Sequence, residues 1–218
     1  MSYLLHQERY FVAMKKSFFQ RTYNLVNNLL LLGFLSVVIS LAMSYLSFLI
    51  GEITLSRLTS EISLVQSKLN IAEYYTSFLG ALLVISAIFL INTELLERFL
   101  YDSIWNYFKS IYQTIRLRHF LKQDEKSESV ITVDNQTTVT KFNPILKNFN
   151  KTVTKCTVDV RKESVSVFIK YPSTQQAQQL LREMEAHIKE EISSRNPNYY
   201  FSSPSREGNK LWFKGAKR

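Results

Sequence analysis

The residue types best suited to chemistry lie in the last twenty positions of the chain. Tyr199, Tyr200 and Phe201 are followed by Lys210, Trp212, Phe213, Lys214, Lys217 and Arg218. Aromatic faces stack on nucleobases and cations neutralise phosphates, so this mixture suits contact with nucleic acid. Strand packing explains the same aromatics, and solubility or attraction to a membrane explains the same charge. A second basic group, Arg116, Arg118 and Lys122 in "RLRHFLK", suits anionic lipid or nucleic acid. Ordinary anchoring by cytoplasmic cations is its simplest reading.

Enzymatic chemistry has no comparable foothold. The sequence contains no G-x-x-x-x-G-K-[ST], no G-x-G-x-x-G, no nucleophile elbow and no H-E-x-x-H. His6, His119 and His187 lie far apart, and Cys156 is the one cysteine, so neither a zinc spacing nor an internal disulfide is available. Glu183, Glu185, Glu190 and Glu191 are mixed with Arg182 and Lys189 and read as a solvated helix face. We assign no catalytic residue, metal ligand or cofactor, and expect a protein that is not an enzyme.

The elements that must position the basic groups are of two kinds. The net charge of +9 over 218 residues is unevenly spread. Residues 22–51 and 74–93 carry no charge at all. A helix needs about 20 apolar residues to cross the hydrocarbon core, and both runs reach that length. The first starts too late for a cleavable signal peptide, and no small-residue cleavage pattern closes it. Arg9, Lys15, Lys16 and Arg21 precede the first run, and Arg98, Lys109, Arg116, Arg118 and Lys122 follow the second. The connection between them carries only Arg57 and Lys68 against three glutamates. This asymmetry predicts a two-pass protein of the cytoplasmic membrane with both termini in the cytoplasm.

Residues 1–21 mix aromatics with cations and read as an interfacial segment. In the external stretch 52–73, Leu55, Leu58, Ile62, Val65 and Leu69 are spaced 3, 4, 3, 4. A helix places them on one stripe, which can pack on its own hairpin or the membrane surface, or on a second copy or another protein. With no Gly or Pro in this stretch, the first span is expected to continue outward before the chain reverses. Beyond the second span, Leu96, Phe99, Leu100, Phe108, Ile111, Tyr112 and Ile115 recur at helical spacing in a juxtamembrane stalk, residues 94–122. A single rod from Tyr74 to Lys122 would be roughly 70 Å long. Residues 123–140 read as a polar linker, with a short strand at 130–133. The triplets at Asn135 and Asn150 match a glycosylation acceptor and read as chance matches on the cytoplasmic side.

Residues 141–218 read as a small basic α+β domain, with 15 Lys or Arg against 7 Asp or Glu. A short helix is expected after Pro144. "TKCTVDV" and "VSVFIKY" alternate as strands about the turn "RKES". Pro172 ends the second strand, and Ser173 with Gln176 matches a capping box. The helix that follows carries Ala177, Leu180, Leu181, Met184, Ile188 and Ile192 on one stripe, and Asn196-Pro197 stops it. "NYYF" and "KLWFKG" read as two further strands about the turn-rich "SSPSREGN". The predicted class is a membrane protein of α+β type: a two-helix transmembrane hairpin, a long helical stalk and a cytoplasmic ββαββ domain.

This layout, from the hairpin through "CTVDVRKESVSVFIKYPSTQQAQQLLREMEAHI", resembles the front end of the FtsK/SpoIIIE-type conjugative coupling proteins of Gram-positive mobile elements. Those proteins place a two-span hairpin, a helical stalk and a small α+β domain before an ATPase. The resemblance lies in layout, the motor motifs are not in these residues, and no site residue is implied. It implies an oligomeric, membrane-anchored assembly or docking protein that presents its basic domain to DNA or to a cytoplasmic protein partner of a transfer machine. A membrane effector or sensor, for example in antiphage defence, is the alternative; its hairpin would form a pore or disrupt the bilayer. A purely structural subunit of a larger membrane complex is a third reading.

Overall fold

The computed structural model describes residues 15–52, 59–125 and 143–218. Leu55, Leu58, the strand expected at 130–133, Asn135 and the first fourteen residues lie outside the described residues. The chain divides into two compact units. One is Arg21–Leu96; the other joins the described residues up to Gln20 with Glu97–Arg218.

The first unit is a helical hairpin. Helix α1 spans Phe18–Gly51 and helix α2 spans Thr59–Tyr101, and both are long and apolar enough to cross a membrane. Their large side chains, such as Phe34, Leu41, Ile85 and Phe89, point outward, the reverse of a soluble core. Small residues line the contact between the helices: Gly33, Ser40 and Ser47 on α1, and Gly80 and Ala87 on α2. A Cβ on Gly33 would lie 2.8 Å from Val84 Cγ2, and one on Gly80 would lie 3.1 Å from Ser36 Cβ. Close backbone approach through small residues is how helices gain contact when lipid removes the hydrophobic drive between them.

The helix expected within residues 52–73 belongs to α2. It does not prolong α1, which ends at Gly51. On α2, Gln66 Nε2 donates to Ser47 O across the hairpin at 3.4 Å. Ile62 and Leu69 flank Gln66 and are half-buried, whereas Val65 is exposed.

The single rod expected from Tyr74 to Lys122 is broken. Helix α2 ends at Tyr101, and helix α3 begins at Ile104 and runs to Leu121. Ser103 between them is extended, with φ −135° and ψ 135°. Asp102 supplies the physical reason. Its carboxylate accepts from Lys162 N and Asn106 Nδ2, both at 2.8 Å, and pairs with Arg98. These partners turn the chain where local pattern alone would continue a helix.

The second unit is an antiparallel sheet with helices around it. Its elements are α4 (Pro144–Val153), β1 (Thr157–Val160), β2 (Ser164–Lys170), α5 (Gln175–Arg195), β3 (Tyr199–Phe201), β4 (Ser205–Glu207) and β5 (Lys210–Lys217). The strand order is β1-β2-β5-β3, with β4 also paired to β5. The expected ββαββ order therefore gains a strand inside the segment read as a turn. β3 pairs with residues 215–217 of β5 and β4 with residues 210–212, so the two occupy successive parts of β5. Pro204 lies just before β4; it has no N–H to give a ladder. Gly208, at φ 55°, and Asn209 form the tight turn into β5, where a side chain would be strained.

One sheet face holds Val158, Val160, Val165, Val167, Ile169, Leu211 and Phe213. Phe149 and Val153 of α4 and Ala177, Leu181, Ile188 and Ile192 of α5 join the same core. The capping box does not form. Thr174 is the N-cap, and Ser173 Oγ instead accepts from Asn148 Nδ2 at 3.0 Å. On the opposite sheet face Phe168 and Trp212 are buried against each other, with ring centroids 5.1 Å apart. Residues 16–20 lie on this face: Gln20 Nε2 donates to Ser166 O at 3.1 Å, and Lys16 Nζ sits 3.6 Å from the Phe168 ring centroid. The described end of the segment expected at the membrane interface thus packs on the sheet.

Helix α3 closes the open edge of β1. Ser110 Oγ accepts from Val160 N at 2.9 Å, Thr114 Oγ1 accepts from Val158 N at 2.9 Å, and Arg118 donates to Cys156 O at 2.9 and 2.6 Å. Four helical residues rise about 6 Å and two strand residues about 6.6 Å, so i, i+4, i+8 on the helix meets j, j−2, j−4 on the strand. An edge strand left open would template aggregation, and side chains here stand in for a missing neighbour strand. Gln113 and Asn196 exchange amide hydrogen bonds at 2.8 and 3.0 Å and tie α3 to the end of α5.

Candidate polyanion-binding face

The basic residues that come together are chiefly not those that the tail composition suggested. Helix α4 begins with Asn143, whose side chain accepts from Ile145 N at 2.9 Å, and with Pro144 in the first turn. It buries Phe149 and Val153. Lys147 and Lys151 share one face four residues apart, and Lys155 follows at the same interval just past the helix. Lys170 ends β2 close by, and Tyr171 N donates to Asn209 O at 3.0 Å, fixing the β4–β5 turn beside it.

Lys147, Lys151, Lys155 and Lys170 line an open cavity of about 440 Å³ together with Asn148, Ser173 and Asn209. Among the described residues, no carboxylate lines it. Two further lysines extend this positive surface. Lys210 is directly opposite Lys170 in the β2–β5 register. Lys16 titrates below its ordinary range, because burial disfavours its charge and the charges of Lys210, Lys170 and Lys155 repel it. Solvent and salt screen the repulsion between these lysines, and a bound polyanion would relieve it further. The lysine heads with neutral amide and hydroxyl groups between them are the chemistry of phosphate recognition.

The residues singled out from sequence are dispersed. Tyr199 packs against the core and donates to Arg161 O at 2.8 Å. Trp212 is buried on Phe168, which removes its face from any base. Tyr200 is exposed, as are Lys214, Lys217 and Arg218, and Lys217 pairs with Glu163 at 3.3 Å. Arg118 is spent on the β1 edge, while Arg116 and Lys122 are exposed on α3 and at its end. Lys210 alone of the set joins the lysine face. Tyr199, Tyr200 and Trp212 form no stacking platform, so contact of the lysine face with a polyanion would be through charge. The lysines that form the cavity were visible as K-x-x-x-K-x-x-x-K over residues 147–155, a spacing that puts like charges on one helical side.

Cys156 is buried, and burial pushes its thiol up to about 12, partly opposed by Arg118. It is an inert packing residue at neutral pH. Asn150, in the second glycosylation triplet, is also buried; its amide is hydrogen-bonded to the Gln123 backbone at 2.9 and 2.7 Å. Among the described residues, no three His, Cys, Asp or Glu side chains gather as metal ligands would. Comparison with protein-family models, with curated proteins and with solved structures finds no match, so the chemistry of this face is argued from its geometry.

Proposed function

We propose that this chain is a two-span, non-enzymatic docking protein of the cytoplasmic membrane. It holds its basic α+β unit on the cytoplasmic side, and there it binds DNA as an oligomeric accessory of a transfer machine. The observation that carries the reading is the convergence of Lys147, Lys151, Lys155 and Lys170 on one cavity that no carboxylate lines among the described residues. The outward apolar surface of α1 and α2 supports insertion in a bilayer. The resemblance in layout supplies the DNA-transfer setting.

Full-length protein in lipid nanodiscs is the material for the test, with fluorescence anisotropy on a short DNA duplex and on its single strand. The expected binding weakens steeply with salt. Replacing Lys147, Lys151 and Lys155 together by Gln lowers the log–log salt slope by about 2 to 3, near 0.9 per lost phosphate contact. Affinity for DNA that the triple variant leaves unchanged, or a defined oligomer indifferent to DNA, overturns the proposal. The second outcome points to a pore or to a protein partner.

A further inference from the structure

Helix α3 carries an exposed aromatic face that its fold does not use. Trp105 is 80% exposed, Phe108 55%, Tyr112 58% and Ile115 55%. These positions recur at helical spacing on the side opposite Ser110, Thr114 and Leu117. The rotation of α3 is fixed, because Ser110, Thr114 and Arg118 are hydrogen-bonded along β1. The aromatic face therefore cannot roll inward without opening the β1 edge.

We propose that α3 is an interfacial lipid-binding helix. Trp105, Phe108, Tyr112 and Ile115 sit at the boundary of headgroups and acyl chains, and Lys109 and Arg116 meet anionic headgroups. Three observations select lipid as the occupant. First, α3 begins at Ile104, three residues after the end of α2, a helix long and apolar enough to cross a membrane. Secondly, Trp and Tyr are the residues enriched at the membrane–water boundary, and Tyr101, the last residue of α2, is also exposed. Thirdly, residues 104–121 contain no Asp or Glu, while Lys109 and Arg116 are exposed beside the aromatic face. That charge complements an anionic leaflet, and a second copy of α3 would meet it with like charge. The inference rests on the membrane-spanning reading of α1 and α2.

The test uses full-length protein in nanodiscs made with phosphatidylcholine and phosphatidylglycerol, some carrying bromine on the upper acyl chain. The chain has two tryptophans, Trp105 and Trp212. Trp212 is buried in the sheet unit and serves as the internal reference. The expected result is that brominated lipid quenches about half of the total emission. Trp105→Phe, an exposed and conservative change, is expected to abolish the quenching. Lys109→Gln with Arg116→Gln is expected to reduce quenching in anionic discs and to leave it unchanged in neutral ones. Equal quenching in wild type and Trp105→Phe overturns the proposal. So does protein that enters the discs with Trp105 unquenched, and in that case the spanning reading stands. Emission of Trp105 that shifts with protein concentration and ignores bromine overturns it in favour of a second copy. Failure to enter the discs at all removes the spanning reading and this inference with it.

Discussion

Helices α3 and α5 flank the same sheet and bury opposite kinds of surface. α5 turns Ala177, Leu181, Ile188 and Ile192 inward and leaves its charged residues in solvent. α3 buries Ser110, Gln113 and Thr114 beside Leu117 and Leu121, and leaves Trp105, Phe108 and Tyr112 outside. The cause is the surface each one meets. α5 covers an apolar sheet face, where dispersion and burial of hydrocarbon dominate. α3 covers a strand edge, where unpaired N–H and C=O groups would cost more than aromatic side chains gain by turning inward. A hydrophobic stripe on a helix therefore does not by itself name the side that faces the protein.

The comparison can be broken at its anchor. Arg98 is fully buried and holds Asp159 at 2.6 Å and Val160 O at 3.0 Å, next to the edge that α3 covers. Arg98→Ala leaves Asp159 and Asp102 buried with fewer counter-charges, and is expected to destabilise this unit by about 3–5 kcal/mol. The sole cysteine provides the readout, because buried Cys156 reacts with a maleimide only when the unit opens. Labelling of the full-length protein in detergent should accelerate about tenfold for each 1.4 kcal/mol of lost stability.

Truncating each helix's apolar stripe sharpens the contrast. Leu181→Ala in α5 should cost about 2–5 kcal/mol, the price of a core cavity. Thr114→Val in α3 keeps the shape and removes the partner of Val158 N–H; about 1–3 kcal/mol is expected from the buried donor left behind. Tyr112→Ala, on the outward face, should change Cys156 labelling in detergent by less than about 0.5 kcal/mol. A Tyr112 effect as large as that of Leu181 would mean that the aromatic face packs on protein.

Much of the fold was legible along the chain. The two long apolar helices follow from the length of the uncharged runs, and the stripe of α5 from Ala177 to Ile192 and the alternation of β2 follow from periodicity, which burial of one face imposes directly on sequence. The strand β4 was not legible, since "SRE" has the composition of a turn and pairs only because β5 presents a free edge. The cap of α5 was misread for a similar reason: Ser173 has a closer partner in Asn148, from a distant segment. The lysine face was legible in part. Its K-x-x-x-K-x-x-x-K spacing is local, but Lys170, Lys210 and Lys16 reach it from three other segments. Trp212 and Tyr199 illustrate the converse, since composition cannot tell a stacking platform from a packed sheet.

By itself, then, the amino-acid order determined the helices and strands with regular apolar spacing, the lengths that suit a bilayer and the basic balance of the last 78 residues. Only the tertiary structure decided that α2 and α3 break at Asp102, that α3 covers an edge with its polar side, and which lysines share a cavity. The physical reason is range. Burial of a stripe is written in residues three and four apart, whereas a buried carboxylate, a strand edge and a cluster of like charges are completed by groups tens of residues away.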